Sequence, residues 1–324
     1  MRKDEQLEMN NIAPSLRPAG FFTGPDGKIR PIWRAFLYAV ASAVAIIAVT
    51  LLFAILVEVF APGTMRGMTG AELMMARPVS FIVIYAAANA ALILLAWLFL
   101  IAFDRRSFRA LGLWLYCGWG RELLFGAGLG VAVLIVGVGI SAALRATVFH
   151  GTAEISPSTL LGLAKIAALL LFAAANEEFL FRGYAFQRLV DSVGALWAVL
   201  IASAVFGVLH LWNPSVTPLS TANTVLAGVL LSLAYLKTRA LWLPIGLHWA
   251  WNFTMGPVLG LPVSGLHVTP TLFRAESAGP QWLAGGAYGP EGGVLLTVVC
   301  VVAILWLARS RKIAPSPAMQ EVLK

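Results

Sequence analysis

Eight apolar runs, each about the length a helix needs to cross the hydrocarbon core of a bilayer, divide this chain. They fall near residues 33–60, 79–103, 122–144, 159–183, 195–212, 220–237, 241–259 and 291–308. Within lipid such a run can satisfy its backbone polar groups alone only as a helix. The pattern therefore predicts an all-α polytopic membrane protein of about eight transmembrane helices. Composition points the same way. Of 324 residues, 60% are hydrophobic and 12% charged, where a soluble domain carries about a quarter charged.

The runs also predict an organisation. A mobile polar tail occupies 1–31, three helices 32–150, a four-helix core 151–260, an outer loop 261–290, a last helix 291–309 and a second tail 310–324. The polar stretch before the first run is too long for a signal peptide. Cys117 and Cys300 fall in a connection and a span, which argues against a disulfide.

The net charge of +8 does not read as nucleic-acid binding, because the basic residues form no single cluster. They lie in short segments between the runs. With the N-terminus inside, the segments 1–34, 105–121, 182–188, 237–239 and 309–324 hold 18 Lys and Arg. The outer segments hold 4, namely Arg66, Arg77, Arg145 and Arg274. That bias predicts both termini cytoplasmic and an even number of spans.

A titratable group inside a span is costly unless it is paired or faces a cavity, so each one needs a reason. Glu58 is close enough to a span end to reach headgroups, and Lys165 can snorkel along its stem. Glu177 and Glu178 are harder to explain as packing. They are adjacent near the inner part of the fourth span, so they point about 100° apart and cannot share one task. Glu178 has Arg182 at i+4, the favourable order for an ion pair. Glu177 has no such local partner, which suits a general acid or base. A solvated acidic helix end is the plainer alternative. Of four histidines, His150 and His267 fall in outer connections, while His210 and His248 fall in the fifth and seventh spans. Each of the latter alone fits a structural hydrogen bonder between helices. Asn252 follows His248 at i+4, and Phe206 precedes His210 at i−4. Helical rise places Glu177 about 17 Å from Arg188, His210 about 24 Å from Gly194 and His248 about 10 Å from Leu241. These depths scatter about the midplane without coinciding.

On these residues the chain resembles the CPBP family of intramembrane proteases, which includes the type II CAAX prenyl endopeptidases and bacterial bacteriocin-processing and immunity proteins. Glu177, Glu178 and Arg182 match its Glu-Glu-x-x-x-Arg motif, Phe206 and His210 its Phe-x-x-x-His motif, and His248 and Asn252 its His-x-x-x-Asn motif. The three occur in order over roughly residues 160–260. The resemblance implies an endopeptidase in which Glu177 activates a water and His210 holds that water or receives its proton. His248 and Asn252 stabilise the oxyanion or assist orientation, with Glu178, Arg182 and Phe206 in support. It implies a membrane-embedded or lipid-anchored peptide substrate in a bacterial cell (inner) membrane. It leaves open a divalent metal such as zinc, for which Glu177, His210 and His248 are the available ligands. Two other functions fit a buried Glu/His set: a proton-coupled carrier using it as a relay, and a silent membrane scaffold or immunity protein.

Overall fold

The computed structural model describes residues 20–24, 26–63, 67–152 and 154–324. Arg2, Lys3, Arg17 and Arg66, counted in the charge bias, lie outside the described residues, as does the expected tail up to residue 19.

Eleven helices are described: α1 Pro31–Phe60, α2 Gly70–Ala76, α3 Pro78–Phe99, α4 Trp119–Ala143, α5 Pro157–Arg182, α6 Tyr184–Leu209, α7 Pro218–Thr238, α8 Trp242–Phe253, α9 Gln281–Ala284, α10 Val294–Arg309 and α11 Pro317–Leu323. Their starts follow local chemistry. Proline occupies the first turn of α1, α3, α5 and α7, where its missing N–H costs nothing. Ser156 caps α5 by accepting from the Thr159 N–H, and Thr217 caps α7 by accepting from the Ser220 N–H. Arg105 and Arg239 turn the chain in left-handed conformations after α3 and α7.

Many of the helices carry large apolar side chains outward. On α1, Ile47, Leu51, Ile55 and Val59 each leave more than half of their surface accessible. Such a surface is stable only against lipid, which makes this a multi-pass membrane protein. Five helical stretches are long and apolar enough to cross: 31–60, 78–104, 119–143, 157–212 and 218–238. That is fewer than the eight runs in the sequence, for two reasons. Residues 157–212 form one stretch of 56 residues, broken only at single glycines. The chain turns at Gly183 (φ −76°, ψ −139°) between α5 and α6, and at Gly194 (φ 80°, ψ 164°) within α6. The fourth helix thus ends at Arg182 and does not run on to Arg188. Second, α8 has 12 residues before a five-residue π turn, and α10 has 16.

The main core lies among α4, α5, α7, α8 and α10, around Leu134, Leu169, Leu230, Leu247 and Leu307. Helices α4 and α8 approach backbone to backbone. A Cβ on Gly126 would strike the Leu243 carbonyl, one on Gly130 the Leu247 carbonyl, and one on Gly246 the Leu123 carbonyl. Helices in lipid commonly associate through such small-residue contacts. Gly246→Ala is expected to cost about 1–3 kcal/mol by overpacking. It should lower the melting temperature, whereas Gly128→Ala, whose Cβ would meet nothing within 4 Å, should not. Equal melting temperatures for the two variants would remove this contact from the account.

The connections gather at two ends of the bundle. At one end Asp104 Oδ1 accepts from Arg34 Nη1 and Arg188 Nη1, each at 2.7 Å. There Leu241 N–H donates to the Gly112 carbonyl at 3.1 Å, and Met319 of α11 packs with Tyr116 and Ala240. At the other end two strands, β1 Thr147–Thr152 and β2 Phe273–Ser277, pair antiparallel and join the connections after α4 and α8. Gly265 N–H donates to the Tyr288 carbonyl at 2.8 Å, and a Cβ on Gly265 would strike the Pro214 carbonyl. The connection after α6 therefore lies at this same end.

Candidate active site

Four helices bring the polar residues of the apolar runs together. α5 supplies Glu177, Glu178 and Arg182, α6 supplies Phe206 and carries His210 at its end, and α8 supplies His248 and Asn252. α7 supplies a backbone carbonyl and a hydroxyl.

Arg182 is fully buried. Its Nη1 donates to Glu178 Oε1 at 3.2 Å, its Nη2 to the Gly228 carbonyl at 3.0 Å, and its Nε to Ser232 Oγ at 3.4 Å. The guanidinium also lies over the Phe206 ring, 4.8 Å from its centre, a contact that desolvation strengthens. The i,i+4 pair read from the sequence is thus formed, in a setting with no water to compete for it.

Glu178 has a second partner that the sequence did not reveal. His248 Nδ1 lies 2.8 Å from the same Oε1. A carboxylate only accepts, so Nδ1 carries a proton, and in the neutral form of the ring Nε2 then holds the lone pair. That Nε2 stands 3.8 Å from Glu177 Oε2. Glu177 has no hydrogen-bond partner for Oε2 among the described residues. The two adjacent glutamates therefore meet opposite sides of one imidazole, Glu178 from behind and Glu177 from the front.

His210 is held differently. It follows the last residue of α6, where a 3-10 turn begins, near the end of the apolar stretch 157–212. Its Nδ1 lies 2.7 Å from the Phe206 carbonyl, an acceptor, so Nδ1 donates and Nε2 is the nitrogen left to the cavity. The Phe206 ring lies between the two imidazoles, with centroids 4.5 Å from His210 and 6.2 Å from His248.

Glu177, Phe206, His210, His248 and Asn252 all line one cavity of about 190 Å³. Glu178 and Arg182 stand behind its wall. The cavity extends past the expected set to Tyr85, Asn213, Trp251 and Glu291. Glu291 is tied down on both oxygens. Trp251 Nε1–H donates to Oε1 at 2.9 Å, while the Ser264 N–H and Oγ–H donate to Oε2 at 2.8 and 2.7 Å. The only sequence signal for it was a lone acid among glycines at the boundary of the last run.

A metal held by Glu177, His210 and His248 requires three donor atoms converging on one point at roughly 2 Å. Among the described residues no group of three or more His, Cys, Asp or Glu side chains is so placed. These side chains as placed do not fit such an ion, and no step below runs through one.

Comparison with known proteins finds a family likeness over part of the chain. Residues 158–254 match the family model described as type II CAAX prenyl endopeptidase Rce1-like. The matched stretch runs from the start of α5 through α8 and includes every residue of the three motifs. It leaves α1 to α4 and α10 outside. No curated protein matches the chain.

Proposed function

We infer that residues 158–254 are the catalytic part of an Rce1-like intramembrane endopeptidase, and that Glu177 and His248 form its reacting pair. The observation that carries this is the approach of Glu177 Oε2 to His248 Nε2 at 3.8 Å on the wall of a cavity among apolar helices. That separation is too long for a hydrogen bond and short enough for one water to touch both atoms.

Peptide hydrolysis requires a water made nucleophilic and a stabilised oxyanion. Glu177 takes a proton from the water as its oxygen bonds the carbonyl carbon. The carbonyl π pair moves to oxygen, giving a tetrahedral oxyanion. Asn252 lines the cavity one helical turn beyond His248, and its amide N–H donates to that oxygen. When the oxyanion collapses the C–N bond breaks, and the proton held by Glu177 passes to the leaving nitrogen. Glu178 fixes the tautomer of His248, so that Nε2 accepts from the water and orients it. His210 offers a second Nε2 acceptor farther along the cavity. Arg182 balances Glu178 and needs no water to do so.

Cleavage is tested by incubating the reconstituted protein with a membrane-protein library and sequencing new termini. Termini that appear with the wild type and are absent with Glu177→Gln support the reading. Identical termini from both would end it. The substrate is a membrane-associated or lipid-modified protein.

The finer topology follows from the two ends of the bundle. We propose that α1, α3, α4, α5, the part of α6 after Gly194, α7, α8 with its π turn, and α10 each cross once. The end bearing Asp104, Arg188, Lys237 and α11 is then cytoplasmic by its basic residues. Reporters fused at Lys324 and inserted within 261–290 should report opposite faces. The same face for both would exclude eight crossings.

A further inference from the structure

Between residues 81 and 96 of α3, every side chain is apolar except Tyr85 and Asn89. The two are four residues apart and so share one face of the helix. Asn89 is buried, and a buried amide is costly unless it is hydrogen-bonded. It finds its partners on α5. Its Nδ2 donates to the Phe172 carbonyl at 3.0 Å, and its Oδ1 accepts from Asn176 Nδ2 at 2.9 Å. Phe172 and Asn176 are one turn apart, and Asn176 directly precedes Glu177. The link therefore fixes the register of α3 along α5 beside the reacting glutamate. Tyr85, one turn before Asn89, lines the cavity together with Ala173, one turn before Glu177. It lies within electrostatic reach of the Glu177 carboxylate.

Hydrolysis puts a negative charge on the carbonyl oxygen, and that charge needs hydrogen-bond donors already in place. Most donors around the cavity are committed elsewhere. The Nδ1–H of His210 faces the Phe206 carbonyl, and that of His248 faces Glu178. Trp251 Nε1–H and Ser264 Oγ–H go to the Glu291 carboxylate. Asn223 Nδ2 donates to the backbone carbonyls of Glu291 and Gly293, and Thr224 Oγ1–H to that of Ser220. Asn213 is turned to the Tyr288 hydroxyl. Apart from the weakly donating Cys300 thiol, the cavity side chains whose donors make no hydrogen bond among the described residues are Asn252 and Tyr85.

We propose that the Tyr85 hydroxyl is the second oxyanion donor, acting with Asn252 on the carbonyl oxygen of the bond being cleaved. This rests on the endopeptidase reading and adds to it a catalytic residue from α3, which lies outside the matched stretch 158–254. As the water oxygen bonds the carbonyl carbon, the π pair moves to the carbonyl oxygen, and the hydrogen bonds from Tyr85 and Asn252 to it tighten. The phenol keeps its proton throughout, so Tyr85 stabilises charge and does no acid–base work. Glu177 remains the group that takes up the proton and returns it to the leaving nitrogen.

The test compares full-chain wild type, Tyr85→Phe and Glu177→Gln in proteoliposomes. The substrate is a membrane-anchored peptide cut by the wild type, and the probe is its phosphinic analogue, which carries an anionic oxygen where the oxyanion forms. Tyr85→Phe keeps the ring and removes an O–H with no partner among the described residues, so the melting temperature should not change. Its kcat should fall about 10²–10³-fold, the loss typical of one oxyanion donor, while KM stays within about twofold. The phosphinic analogue should lose affinity by the factor by which kcat/KM falls, because its anionic oxygen uses the same donors. A fall in kcat of less than about tenfold, a rise in KM alone, an unchanged affinity for the analogue, or a melting temperature lowered along with activity would each overturn the role of Tyr85. The endopeptidase reading survives any of these, provided that the wild type cleaves and Glu177→Gln does not. Termini that never differ between wild type and Glu177→Gln would end that reading, and the role of Tyr85 with it.

Discussion

Glu177→Gln is expected to lower turnover by about 10²–10⁴-fold, the usual contribution of a positioned general base, and to leave the melting temperature at the wild-type value. The two halves of that expectation have separate causes. An amide keeps the size and the acceptor oxygen of the glutamate but takes up no proton, so the water is held and not activated. Stability is spared because Glu177 is 36% accessible on its side chain and has no hydrogen-bond partner on Oε2 to lose. Cleavage rate and thermal unfolding of one preparation decide it. Wild-type turnover by this variant would remove Glu177 from the chemistry.

Glu178→Gln should do the reverse in proportion, with a large loss of stability and a smaller loss of rate. Two donors, Arg182 Nη1 and His248 Nδ1, converge on Glu178 Oε1. A glutamine oxygen can still accept from both, which preserves the orientation of His248 and some activity. The charge is gone, however, and Arg182 is fully buried. Stranding one member of such a pair costs about 3–5 kcal/mol, whereas removing both members often costs little. The double variant Glu178→Gln, Arg182→Met should therefore regain much of the melting temperature lost by the single one. No recovery would show that charge is not what Glu178 contributes. A stable, inactive Glu178→Gln beside an active Glu177→Gln would reverse the two roles.

Local spacing carried part of this site. Glu178 and Arg182 are four residues apart on one helix, and their pairing could be read directly. His248 is 70 residues from Glu178, so their contact depends on how α8 packs against α5, and α8 is itself seated on α4 by backbone approaches at Gly126, Gly130 and Gly246. Periodicity does not encode such approaches. Helical depth misled for a related reason. It was counted from Arg188, but Gly183 ends α5 six residues after Glu177, and His210 proves to be a helix end. The depths of Glu177 and His210 need not coincide, because the cavity runs along the bundle from one to the other. Apolar runs likewise located every stretch long and apolar enough to cross, yet gave eight where five are so. A single glycine joins α5 to α6, and α8 and α10, at 12 and 16 residues, are short. Glu291 escaped notice because its partners, Trp251 and Ser264, lie 40 and 27 residues away.

The bonds that fix Glu291 also bear on how quickly the enzyme can engage a substrate. The connection from α8 to α10 lines the cavity with Val263, Ser264, Leu266 and Val268, and an untethered segment of that length would sample many arrangements. Here β2 is paired to β1, Gly265 is bonded to Tyr288, and Ser264 and Trp251 hold Glu291. The conformational entropy of ordering that segment is lost during folding, so little remains to be lost when a peptide arrives. Association should then be governed by encounter within the membrane plane and by dehydration of the incoming peptide. Loosening Glu291 would slow capture before it slowed the chemical step.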